Sequence, residues 1–301
     1  MDRIGVSPAF VVSAYGPGFG AREYLAAVPR VASLGFRSLE LEQYAPGASA
    51  EWNAASCASL ARLMDDEGLE PSQFVAHFCL GDFVSRAGME RAACLEEFPS
   101  VVEACARFPR CDVVTIPLPA YLIAARAELS PAAAAGARER LIELLAKYLA
   151  IASSAGKRLA LEIMPHALVG GTEGFLRLAA EDSLRGISYN FDTGHAWARK
   201  ERIEQVPALL GDALCGTHIC DNAGGESLKL GPGEGSIDFP ALLAGLRASG
   251  YAGSLDLEIL CAPTEVEERY RRAKAALERA LAAADAPLAF DSRNPSQGRE
   301  G

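Results

Sequence analysis

The stretch Leu141–His166, LIELLAKYLAIASSAGKRLALEIMPH, passes from one structural period to another. Leu141, Leu144, Leu145, Tyr148, Leu149 and Ile151 recur at helical spacing, Gly156 supplies a stop, and Arg158–Ile163 reads as a short buried strand. The same helix, glycine, strand order returns in ASLGFRSLEL, DDEGLEPSQFV and RASGYAGSLDLEI. Predicted strands cover Ile4–Val6, Ser38–Leu41, Phe74–His77, Val113–Ile116, Arg158–Ile163, Gly186–Phe191, Cys215–Ile219 and Ser254–Ile259. Helical patterns separate them. Eight strand–helix repeats imply a parallel sheet, and eight strands close a (β/α)₈ TIM barrel. A doubly wound open sheet is the alternative, but it would be expected to carry a phosphate loop, and none is evident. Residues 1–285 read as one domain. Residues 286–301 lose periodicity, gather Pro, Gly, Ser and charge, and read as a flexible tail, with Leu288–Phe290 as a docking element.

Bulk composition narrows the function classes. Half of the 301 residues are hydrophobic, enough for a large core, and no run of eighteen apolar residues suggests a membrane span. The N-terminal MDRIGVSPAFVVSAYG makes a poor secretory signal, with an acid beside its only arginine and Pro8 breaking the apolar run. A net charge of −10, with both signs mixed along the chain, argues against nucleic acid and anionic membrane as partners. None of the eight cysteines is in Cys-x-x-Cys spacing, and most sit in apolar settings. They read as reduced cysteines of a cytoplasmic protein.

A barrel concentrates its chemistry at the C-terminal ends of its strands. There the polar residues are Glu40 and Glu42 on strand two, His77 on three, Glu162 on five, Asp192 and His195 after six, His218 on seven and Glu258 on eight. Glu162 and Glu258 each interrupt an apolar strand, and a buried carboxylate is costly unless it is paired or binds a metal. Two Glu, one Asp and one His on four consecutive strands suit Mn²⁺, Mg²⁺ or Co²⁺ better than structural zinc. Each also has a purely structural explanation. The glutamates suit salt bridges to arginine, His218 suits a hydrogen-bonded core position, and Asp192 suits the cap of the following helix. His77 and Glu40 are candidate substrate contacts, and His166 reads as a loop histidine.

The motifs LEIMPH, FDTGHAW, THICDN, GPGEGSIDF and GYAGSLDLEI, in this order and spacing, resemble the xylose isomerase-like TIM barrels. That family includes sugar epimerases, inosose isomerases and dehydratases, and endonuclease IV. The resemblance runs from IGVS to about residue 262 and is most specific in the second half. It implies that Glu162, Asp192, His218 and Glu258 ligate one divalent cation, Mn²⁺ foremost, with Mg²⁺, Co²⁺ or Zn²⁺ as alternatives. It implies further that His195 contacts substrate, that Lys229 stands where relatives usually have an arginine, and that Pro232–Gly235 closes over the site. Lysine is a point charge and not a bidentate fork. Gly194 is expected to give the sharp turn that holds Asp192 and His195 together.

The mechanism implied is proton transfer beside a carbonyl through an enediolate, with Glu162 and Glu258 as the acid/base pair. This predicts an isomerase or epimerase of a sugar, inosose or related polyhydroxy small molecule. A dehydratase of the inosose or dehydroshikimate type is the alternative. Less favoured are an endonuclease IV-like repair enzyme, since the histidines for three zincs are missing, and a non-catalytic binding barrel. The resemblance also implies a homodimer or tetramer.

Overall fold

The computed structural model describes residues 3–284. The expected tail at 286–301 lies outside them. Eight strands, β1 (Ile4–Val6), β2 (Ser38–Gln43), β3 (Glu70–Ala76), β4 (Val113–Leu118), β5 (Arg158–Ile163), β6 (Ser188–Asp192), β7 (Leu214–Ile219) and β8 (Leu255–Leu257), pair in chain order. All pairings are parallel, and β8 returns to β1 to close the barrel.

Local chemistry explains the repeat. The helix Pro131–Ser154 starts with Ser130, whose side chain accepts the Ala133 N–H, followed by proline at the first helical position. Leu141, Leu144, Leu145, Tyr148 and Leu149 are its buried stripe. It ends as the sequence predicts: Gly156 adopts φ 69°, and the Lys157 N–H reaches back to the Ala152 carbonyl at 3.0 Å. The strand β5 follows at once.

Short helices escape the periodicity argument. Ala9–Tyr15, Leu80–Phe83, Arg86–Arg91 and Thr193–Ala198 are each less than two or so turns long and sit in the loops at the strands' C-terminal ends. Pro8, read from sequence as a break, instead opens the helix Ala9–Tyr15, where a missing N–H costs nothing. The strand β6 reaches Asp192, one residue further than predicted.

The barrel interior is polar in its middle layers. Gln73 bonds Glu40 and Thr115 and lies 3.2 Å from Asn190, and Ser38 donates to Asp256 at 2.9 Å. These strand-borne groups satisfy one another, which is the condition for burying them. Among the described residues no helix is long and apolar enough to cross a membrane. All eight cysteines are free.

Candidate metal and active site

Strand register assembles the site. Asp192 pairs with His218 across β6 and β7, and the Glu258 N–H continues the ladder to the Ile219 carbonyl at 3.0 Å. Glu162 closes β5 on the other flank. Donor atoms of Glu162, Asp192, His218 and Glu258 all lie within 4.8 Å of one another, at the C-terminal mouth. The four strand-end residues singled out from sequence are therefore brought together.

His218 organises the cluster. Its Nδ1 lies 3.0 Å from Glu162 Oε1 and 3.4 Å from Glu258 Oε2, while Nε2 faces Glu40 Oε2 at 2.9 Å. A carboxylate on one ring nitrogen fixes the tautomer and orients the other nitrogen toward the cluster. Glu40, expected at the substrate, is thus placed one layer lower, fully buried and bonded to His218 and Gln73. Burial pushes its carboxyl up to about 8, against the pull of His218.

Asp192 satisfies both of its sequence readings. Oδ1 accepts the His195 N–H at 2.6 Å and caps the helix Thr193–Ala198, while Oδ2 faces the cluster and Lys229 Nζ at 2.5 Å. Gly194, expected to let the chain turn sharply, makes that turn as part of a helix and without a positive φ. It lies inside that helix, and a Cβ there would come within 2.6 Å of Cys220 Sγ, so close packing requires the glycine. His195 Nε2 is 3.4 Å from Glu162, 3.5 Å from Asp192 and 3.3 Å from Lys229 Nζ, and its Nδ1 is buried with no hydrogen-bond partner among the described residues.

The ammonium of Lys229 bonds both Asp192 and Glu258. Its backbone is held at φ 50°, a left-handed conformation uncommon for a side-chain-bearing residue. The surrounding loop is pinned by Asp221, a fully buried carboxylate. It accepts the N–H groups of Asn222 (2.8 Å), Gly233 (2.9 Å), Gly235 (2.9 Å) and Ile237 (3.1 Å). A Cβ at Gly235 would meet Asp221 Oδ1 at 2.3 Å. The Pro232–Gly235 segment is thus fastened to the barrel. Sequence reasoning missed Asp221, because THICDN marks it only as one more acid.

The charges respond to this crowding. Burial alone would raise Glu162, but His218, His195 and Lys229 bring it well below the ordinary carboxylate range. Asp192 is depressed in the same way, burial being outweighed by His195 and Lys229. Glu258 goes the other way: burial lifts it to about 7 despite Lys229 and His218. Three carboxylates packed this closely demand positive charge, and Lys229 already places one cation among them. With one imidazole and carboxylate oxygens from three residues, the set fits a hard divalent ion.

A cavity of about 250 Å³ opens beside the cluster. Its polar lining is Glu42, Tyr44, His77, Glu162, His218, Lys229 and Glu258, and Val12, Pro117, Met164 and Leu260 supply apolar surface. His77 stacks on Tyr44 with ring centroids 4.3 Å apart, and burial lowers its pKa. His166 does not line this cavity. A larger groove of about 540 Å³ lies between Thr172 and Leu209, where Arg199 and Glu201 neutralise each other at 2.7 Å.

A closed parallel eight-stranded barrel with acids and a histidine gathered at its C-terminal mouth is the layout of a TIM-barrel protein whose site is built on the strand ends. The family model for the xylose isomerase-like TIM barrel matches residues 28–282, and the chain belongs to that family. Its structure is similar to that of an L-ribulose 3-epimerase, with TM-score 0.73 and 21% identity over 94% of this chain and 96% of that one. It is also similar to an E. coli 3-keto-D-glucoside 4-epimerase, with TM-score 0.71 and 20% identity over 92% and 99% of the two chains. A D-tagatose 3-epimerase-like protein gives TM-score 0.69 and 21% identity over 92% and 98%. At these identities the likeness is one of fold. An uncharacterised protein of Methanocaldococcus jannaschii is 31% identical over 119 residues, a match covering 38% of this chain and 41% of that protein.

Proposed function

We propose that this protein is a divalent-metal-dependent isomerase or epimerase of a small polyhydroxy carbonyl compound. The observation that carries the reading is the convergence of Glu162, Asp192, His218 and Glu258, three of which, Glu162, His218 and Glu258, line a cavity of sugar-sized volume, about 250 Å³. Family membership and the sugar epimerases among the similar structures support it. The same four residues would hold the ion, with Mn²⁺ as the first choice for an oxygen-rich set. When bound, it supplies a Lewis acid toward a carbonyl and its neighbouring hydroxyl.

The chain's own groups divide the proton transfer. Glu162, held ionised by its cationic neighbours, takes the proton from the carbon beside the carbonyl. Glu258 returns one to the other carbon or the opposite face. The two glutamates reach the cavity from β5 and from the residue following β8, and both line it, so each has access to a bound substrate. Lys229 donates to a substrate oxygen in exchange for its bonds to Asp192 and Glu258. His195, whose Nε2 lies 3.3 Å from Lys229 Nζ, is the second candidate substrate contact.

Incubating the Mn²⁺-loaded protein with ketoses and inososes in D₂O tests this. Deuterium should enter the carbon-bound position without loss of water. Release of water would transfer the protein to the dehydratase class, and absence of exchange with and without added Mn²⁺, Mg²⁺ or Co²⁺ would reject the proposal.

A further inference from the structure

Strand β2 carries three chemically distinct side chains at alternate positions, Glu40, Glu42 and Tyr44 just beyond its end, all on the same face by strand geometry. Glu40 is consumed by His218 and Gln73, and Tyr44 by its stack on His77. Glu42 is consumed by nothing. It is only 6% exposed, lines the cavity, and makes no side-chain hydrogen bond or ion pair to any described residue. A carboxyl buried without a partner is costly, and one kept at the wall of a cavity finds its partner in what the cavity binds.

The cavity's other charges say what that partner is. Glu162 and Glu258 line it too, and the single Lys or Arg side chain among its lining residues is Lys229, which Asp192 and Glu258 already occupy. With the ion on Glu162 and Glu258 and Lys229 turned to the substrate oxygens beside it, the acid in the lining left without a cation is Glu42, and a phosphate or carboxylate at its end would meet that carboxyl alone. A hydroxyl, which donates, suits Glu42.

Resting on the reading of this site as an isomerase or epimerase, we propose that Glu42 is a specificity-determining residue. Its carboxyl accepts a hydrogen bond from a hydroxyl of an uncharged substrate, and it turns away substrates bearing a phosphate or carboxylate at that end.

The experiment compares wild type, Glu42→Gln and Glu42→Ala, all Mn²⁺-loaded, on matched free ketoses and their phosphate esters. Kinetics are followed by deuterium exchange and affinity by calorimetry. For the free sugar, Glu42→Ala should raise KM about tenfold with kcat changed less than about threefold, and Glu42→Gln, whose amide still accepts, should recover most of it. Wild type should disfavour the phosphate ester by at least about tenfold, and both variants should narrow that gap. An unchanged KM in Glu42→Ala, a preference of wild type for the ester, or a collapse of kcat alone would overturn the assignment. Exchange absent in wild type with every sugar rejects the isomerase or epimerase reading instead. In that case the binding isotherms decide for Glu42, and equal affinity of wild type and Glu42→Ala for each sugar removes it.

Discussion

The two halves of the barrel mouth are built on different logics. From β5 to β8, every strand ends in a group that can take or hold charge, and these groups contact one another directly. From β1 to β4, the mouth is made of Pro8, Val12, Glu42, Tyr44, His77 and Pro117, which face the cavity and form no single cluster. One half is a cluster whose members are tied by mutual charge, and on the proposed function it is the reaction centre. The other is a wall of side chains that line the cavity without forming such a cluster. Perturbations of the two halves should therefore separate cleanly in the kinetics.

The largest effect belongs to Glu258. Glu258→Gln should lower kcat by about 10³-fold or more, the loss of both a ligand and an acid/base group, with an unaltered circular dichroism spectrum. Activity within tenfold of wild type would break the division between the halves. Lys229→Met comes next. It should raise KM by roughly 10²-fold through loss of a charged contact, yet leave Mn²⁺ affinity equal or tighter, because a competing cation has gone. Titration calorimetry reads the second part, and weaker Mn²⁺ binding would show that Lys229 supports the metal site instead of competing for it.

Glu40→Gln sits between the halves, since β2 carries the residue and β7 uses it. The variant should weaken Mn²⁺ by about 10- to 100-fold, as expected for the partner of a ligating histidine. It should also change the pH dependence of the metal-free protein. Glu40 has its folded pKa raised to about 8 by burial, so its contribution is complete at acid pH and is lost as pH rises through that value. Wild type should lose stability between about pH 5 and 8, by up to about 1.4 kcal/mol per pH unit from this group, and Glu40→Gln should lose less. Identical slopes in urea titrations would exclude the assignment. The smallest effect is predicted at the wall: His77→Gln, which keeps hydrogen bonding but loses the stack on Tyr44, should shift KM by about threefold and spare kcat.

The same contrast governs what could be read in the sequence. Glu162 and Glu258 stand out because an acid inside an apolar strand needs a reason, and Asp192 and His218 follow from their places at neighbouring strand ends. The alternation of helices and strands was equally plain, since each long helix has its own stripe and stop. Contacts spanning the chain were not. His218 and Glu40 are 178 residues apart, and nothing local at Glu40 tells an acid that supports a histidine from one that faces substrate. Glu42 was visible two residues on, and the period of two already put it on the same face and nearer the mouth. Its lack of a partner, however, is a property of the assembled barrel. The short helices stayed hidden because one or two turns carry too few residues for a period to emerge.

Asp221 sets a limit on how the site moves. Its charge is spent entirely on four N–H groups of its own loop, so the path of the chain through Lys229 is decided when the protein folds. Freeing Asp192 and Glu258 for another cation then requires rotation of one lysine side chain, and the slower rearrangement of a loop is not needed. On the proposed function, exchanging the ammonium for the ion on this face of the barrel is therefore a matter of rotamers.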